Sequence, residues 1–216
     1  MSQESQYSMK IKERIRNMTD GYVFTASDFL DIASGKTVNR ILARLCKEEQ
    51  IRRILRGVYD VPVYSNLLEE YRVPFVHEVA KALARKYNWT IVQDGNRALN
   101  MLHLSTQVPN VWEYASDGPN RVYTIGNWKL HFRKEISRDI TGKSEITGLV
   151  IQAIKKLGRE GFTKKYIDRL STVLPQEAKA IILEESTSCT DWVREIIEKA
   201  CCYNGDDCND VSFYNP

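Results

Sequence analysis

The stretch from Lys36 to Arg56 most narrows what this chain can fold into. It carries seven basic residues against two acidic ones, set first at helical and then at strand spacing. Val38, Ile41, Leu42 and Leu45 recur at intervals of three, four and seven and define one apolar stripe. Lys36, Arg40, Ala43, Arg44 and Lys47 fall on the opposite stripe. A helix with one face for a core and the other for an anion follows. Ile51-Arg52-Arg53-Ile54-Leu55, the turn Arg56-Gly57 and Val58-Tyr59-Asp60-Val61 then read as a short hairpin.

The residues upstream complete a compact unit. Ile11, Ile15 and Met18 at i, i+4, i+7 suit an amphipathic first helix over Tyr7 to Asn17, broken by Asp20-Gly21. Thr25 or Ser27 can cap a second helix running through Ala33, with Asp28 near the positive end of its dipole. Ser34-Gly35 makes the turn into the third. Three helices and a basic hairpin are the order of a winged helix-turn-helix. On DNA, the third helix would enter the major groove and the hairpin would rest on phosphate or in the minor groove.

Asn39 and Arg40 suit bidentate contacts to adenine or guanine edges. The candidate DNA contacts are Thr25, Lys36, Thr37, Asn39, Arg40, Arg44, Lys47, Arg52, Arg53 and Arg56. Charge agrees with a polyanion partner. Residues 1–65 hold 11 Lys+Arg and 8 Asp+Glu and the remainder holds 20 of each, so the whole +3 excess lies in the first third. Gly35-Lys36-Thr37 mimics the end of a phosphate-binding loop. The glycine that such a loop needs five residues earlier is Leu30, so nucleotide binding is rejected.

Residues 66–74 read as a linker between a first domain, 1–65, and a mixed α+β second domain, 75–200, with a small antiparallel sheet and terminal helices. The periodicity there predicts a helix over 77–87, strands at 89–92 and 111–115, a short helix over 98–104, and a hairpin of 122–125 with 128–132. Helices over 144–157, 163–173 and 175–201 follow, the last broken around 186–190. No catalytic motif is visible and no enzyme activity or cofactor is expected. His77, His103 and His131 are scattered, and Asp94 and Asp117 in Asp-Gly turns are turn formers before they are metal ligands with Glu113 or Glu135. The tail, 201–216, contains Cys201, Cys202 and Cys208 with Cys189 upstream. It lacks paired C-x-x-C spacing, so a polar end is expected rather than a zinc site.

No apolar run approaches the roughly 18 residues of a membrane span. The polar N-terminus lacks the apolar core of a signal peptide. The five cysteines show no disulfide spacing. A cytoplasmic protein without membrane contact is expected.

The run FTASDFLDIASGKTVNRILARLCKEEQIRRILRGVYDVP resembles the N-terminal winged helix of the abortive-infection AbiE-type antitoxin family. The shared pattern is Thr25, the turn Ser34-Gly35, Ala43-Arg44-Leu45 and the closure Arg56-Gly57-Val58-Tyr59, over residues 8–62. The segment from Trp89 to Pro119 is similar to the second domain of related bacterial winged-helix regulators. The resemblance implies an autorepressor that binds inverted repeats of double-stranded DNA in its own promoter, as a monomer or weak dimer. It also implies the antitoxin of a type IV toxin–antitoxin system, opposing a nucleotidyltransferase-like toxin without a stable complex. The alternatives are a stand-alone regulator with a ligand- or protein-binding second domain, a protein-interaction module whose winged helix touches no DNA, and a nuclease fused to a DNA reader.

Overall fold

The computed structural model describes residues 3–67, 69–135 and 137–202. In chain order the elements are α1 (Gln3–Arg16), β1 (Val23–Thr25), a 3-10 turn (Ala26–Phe29), α2 (Gly35–Lys47), β2 (Arg52–Leu55), β3 (Val58–Asp60), β4 (Tyr64–Ser65), β5 (Glu70–Tyr71) and α3 (Val76–Tyr87). Then come β6 (Ile91–Gln93), α4 (Gly95–Met101), β7 (Trp112–Ser116), β8 (Arg121–Ile125) and β9 (Trp128–Lys134). A 3-10 turn (Ser137–Asp139), α5 (Glu145–Gly161), α6 (Lys164–Val173), α7 (Gln176–Glu185), another 3-10 turn (Ser186–Ser188) and α8 (Asp191–Cys201) close the chain. The class is mixed α+β with small antiparallel sheets, as the spacing of apolar residues predicts.

The chain divides into two compact units, residues 1–89 with 121–131 and residues 90–120 with 132–216. In the first unit, α2 buries Val38, Ile41, Leu42 and Leu45 and packs them with Ile11 and Ile15 of α1 and with Phe24, Phe29 and Tyr59. Phe24 meets Phe29 edge-on at 5.7 Å and stacks on Tyr59 at 6.2 Å, so the aromatic rings lock β1, the 3-10 turn and β3 together. The sheet order is β1-β3-β2, antiparallel throughout, with Phe24 opposite Tyr59 and a bulge between Arg53 and Leu55. Gly57 adopts φ +75° at the hairpin turn, a conformation a side chain would strain.

Two expectations change here. The second helix is not a helix through Ala33 but one 3-10 turn, because only four residues separate Phe29 from Ser34, the cap of α2. The proposed boundary also moves. Residues 66–74 are not a featureless linker, since Tyr64 and Tyr71 pair across the β4–β5 hairpin. The following helix, α3, belongs to the first unit and not to the second: it packs against β1. Its apolar face, Val79, Ala80 and Leu83, is buried. Arg85 fixes it there, donating to the Val23 carbonyl at 2.7 Å and to Asp28 at 3.1 Å while lying over the Tyr22 ring. Helical periodicity shows that such a face exists but not what covers it.

In the second unit β6 pairs antiparallel with β7, and α4 to α8 enclose a core of aliphatic residues. Gly95 and Gly148 permit the closest approaches. A Cβ on Gly95 would strike the α5 backbone at Gln152 and the Lys156 side chain, and one on Gly148 would press into Val92 at 2.7 Å. α5 leaves helical geometry at Gly158, where the periodicity also ends. Cys208 and the rest of the expected tail from 203 onward lie outside the described residues.

Candidate nucleic-acid interface

α2 is built to present one polar face. Ser34 caps it by accepting from the Thr37 amide at 3.4 Å, and the buried stripe holds the helix against α1. Lys36, Asn39, Arg40, Arg44 and Lys47 are all exposed on the opposite side, and Thr37 is half-buried with its hydroxyl against Ser34. The gap at Ala43, also exposed, leaves room for close approach of a ligand. Neither Lys36 nor Lys47 has an acidic partner among the described residues.

Three arginines of the candidate set are already engaged, which residue spacing alone does not reveal. Arg40 is 66 % exposed and pairs with Glu4 of α1 at 2.7 Å. An exposed pair of this kind is worth about 0–1 kcal/mol, so Arg40 can exchange Glu4 for another anion. Arg44 donates to the buried Ser8 hydroxyl at 2.7 Å and lies 3.8 Å from Glu48, joining α1 to the end of α2. Glu48 is also 3.5 Å from Lys12.

Arg52 must be withdrawn from the phosphate-contacting set. It makes a two-pronged pair with Asp60 at 3.0 and 2.6 Å, and Asp60 is only 2 % exposed. A further bond to the Arg72 carbonyl at 3.0 Å ties it down. Thr25 must be withdrawn as well. It is fully buried, its hydroxyl accepts from the Ser27 amide, and its own amide donates to Asp28 in a capping box.

Arg53 and Arg56 remain exposed on the hairpin. Arg53 sits close to the last turn of α2. Burial pushes the Cys46 thiol and the Tyr59 phenol above their ordinary values, and the neighbouring Arg53 charge opposes both shifts. The surviving candidates are therefore Lys36, Asn39, Arg40 and Lys47 on α2, with Arg44 partly committed, and Arg53 and Arg56 exposed on the hairpin. Sequence inspection misses Lys86, whose Nζ donates to the Arg56 carbonyl at 3.2 Å from 30 residues away. No local pattern announces that contact.

The acidic residues of the second unit serve the fold. Asp94 caps α4 through the Asn96 amide, and Asp117 accepts from the Thr90 amide at 2.9 Å. Arg133 reaches Asp94, Glu113 and Glu135, and Lys155 pairs with Glu135 and Asp139. Among the described residues no three His, Cys, Asp or Glu side chains gather in a way that could hold a metal ion. No described helix is long and apolar enough to cross a membrane.

Residues 10–182 match the model of a family of unknown function, DUF6088. The chain belongs to that family. The DUF6088 match covers the whole candidate surface, runs through both units and ends inside α7. No curated protein matches the chain.

Proposed function

We propose that this DUF6088 protein is a regulator that binds double-stranded DNA through a winged helix-turn-helix in its first unit. In this reading α2 lies in the major groove and the β2–β3 hairpin is the wing. The order α1, β1, 3-10 turn, α2, β2, β3 with sheet order β1-β3-β2 supports it. The observation that carries it is the α2 face itself: Lys36, Asn39, Arg40 and Lys47 exposed along one line, opposite a fully buried stripe. A helix held that rigidly delivers its cations to a phosphate backbone at little further ordering cost.

The resemblance to AbiE-type antitoxins extends the proposal. The protein would repress its own operon by binding inverted repeats in the promoter and would oppose a nucleotidyltransferase-like toxin encoded beside it. It carries no catalytic step, since Asp94, Asp117, Glu113 and Glu135 are already committed to caps, turns and ion pairs.

Gel-shift titration of promoter and random duplexes tests the repressor. Promoter DNA is expected to bind far more tightly at physiological salt, and affinities within twofold of each other would sink the repressor assignment. Arg40→Ala is expected to cost a base-contact-sized 1–3 kcal/mol, or roughly 5- to 150-fold, on the promoter duplex and much less on random DNA. Equal losses on both duplexes would make Arg40 a phosphate contact instead.

A further inference from the structure

Beside the hairpin tip, the first unit contains a basic and aromatic cluster that no sequence motif marks. A groove is lined by Leu55, Arg56, Leu83, Lys86, Tyr87 and Tyr123. Tyr87 stacks on Trp89 at 4.7 Å, and two cations share the Tyr87 ring: Lys86 Nζ lies 5.2 Å and Arg121 Cζ 5.6 Å from its centroid. Arg121 also lies 5.9 Å from the Trp89 ring. Lys86 is fastened to the hairpin through the Arg56 carbonyl. Arg56, Lys86 and Arg121 have no acidic partner among the described residues.

Three like charges without a counter-charge repel one another, because Lys86 and Arg121 sit within about one Debye length of each other. They are also held in place. An unrestrained Lys or Arg loses rotamer freedom when it is fixed on a ligand, and the contacts with Tyr87 and Trp89 remove part of that cost beforehand.

We propose that Arg56, Lys86 and Arg121 form a second contact surface for duplex DNA, taking the phosphate backbone that runs past the hairpin. Tyr87 and Trp89 are positioning residues that hold the two outer cations. The surface is continuous with the proposed interface, since Arg56 belongs to both, and the proposal rests on the reading of the first unit as a DNA-binding unit. The footprint then includes α3 and the β8–β9 hairpin, parts of the chain that lie outside the helix-and-wing segment.

The test uses the full chain and a labelled random-sequence duplex of about three helical turns, titrated by fluorescence anisotropy across a salt series. Lys86→Ala/Arg121→Ala is expected to weaken binding on the order of tenfold and to make the log–log salt slope shallower by about 2. If the alanine pair melts early, Lys86→Gln/Arg121→Gln keeps the stems on the rings and gives the same readout. Wild-type affinity and slope in these variants would overturn the proposal, while a loss in Lys36→Glu/Lys47→Glu in the same assay would leave the α2 reading intact. The reverse pattern, loss at Lys86 and Arg121 with none at Lys36 and Lys47, would support this surface and overturn the reading of α2.

Discussion

Replacing Lys155 by Met is expected to lower the stability of the second unit by about 3 kcal/mol, a fall of roughly 10 °C in its melting temperature. Lys155 donates to Glu135 at 2.6 Å and to Asp139 at 2.9 Å. Asp139 is 3 % exposed, its other carboxylate oxygen is buried without a hydrogen-bond partner among the described residues, and Lys155 is its ion-pair partner there. Glu135 keeps Arg133 at 3.0 Å, so the cost of the substitution falls on Asp139. Asp139→Asn added to Lys155→Met removes the stranded charge and is expected to recover part of the loss. Calorimetry of the two variants decides it: equal melting points would mean that the lysine contributes packing and not charge.

The same ion pairs set a pH window. Burial pushes Glu135 up, but its bonds to Lys155 and Arg133 outweigh that and hold it below the ordinary glutamate value. Its stabilisation is therefore complete above the unfolded value of about 4.3 and is lost as pH falls through the lower folded value. Burial lowers Lys155, and its two carboxylate partners more than reverse this. Its share is complete below about 10.4 and is lost as pH rises through the higher folded value. The contribution of the Lys155 ion pairs should be flat from about pH 5 to 10, and acid should narrow the lead of wild type over Lys155→Met.

Arg52→Ala should behave as a folding defect and not as a DNA-contact defect. Removing the guanidinium leaves the Asp60 carboxylate buried and unpaired on β3, opposite Arg52 in the sheet register. The expected loss is about 3 kcal/mol in the first unit, again roughly 10 °C. Its neighbour Arg53 is exposed, and Arg53→Ala should change stability by less than about 0.5 kcal/mol while weakening DNA binding with a shallower salt slope. Thermal melts and duplex titrations of both variants separate the roles. An Arg52→Ala protein that melts with wild type but has lost affinity would return Arg52 to the contact surface.

The contrast between these adjacent arginines shows what a sequence holds and what it withholds. Both stripes of α2 were legible because helical spacing is a local property, and so were the hairpin and the break at Gly158. The partners of the charges were not. Arg44 finds Ser8 from 36 residues away, Arg52 finds Asp60 across a strand pair, and Arg40 finds Glu4 on another helix. Composition counts each of these as free positive charge, whereas the fold uses one outright and part of a second. Thr25 was legible as a cap but not as buried: its place inside β1, which takes it out of reach of DNA, depends on the sheet pairing with Val58. The misplaced domain boundary has the same origin, because the apolar face of α3 fits a partner in either unit until Arg85 is seen reaching Val23 and Asp28.

The central claim, that the α2 face binds duplex DNA, meets its most direct test in Lys36→Glu/Lys47→Glu. These two positions have no acidic partner among the described residues, so neither substitution removes an ion pair that the fold uses. Anisotropy titration with a labelled duplex at low salt should show wild-type binding that falls steeply as salt rises. The double variant should bind on the order of 100-fold more weakly, with an unchanged melting temperature. A wild-type chain that binds no duplex at low salt, or a variant that binds as tightly as wild type, would contradict the account.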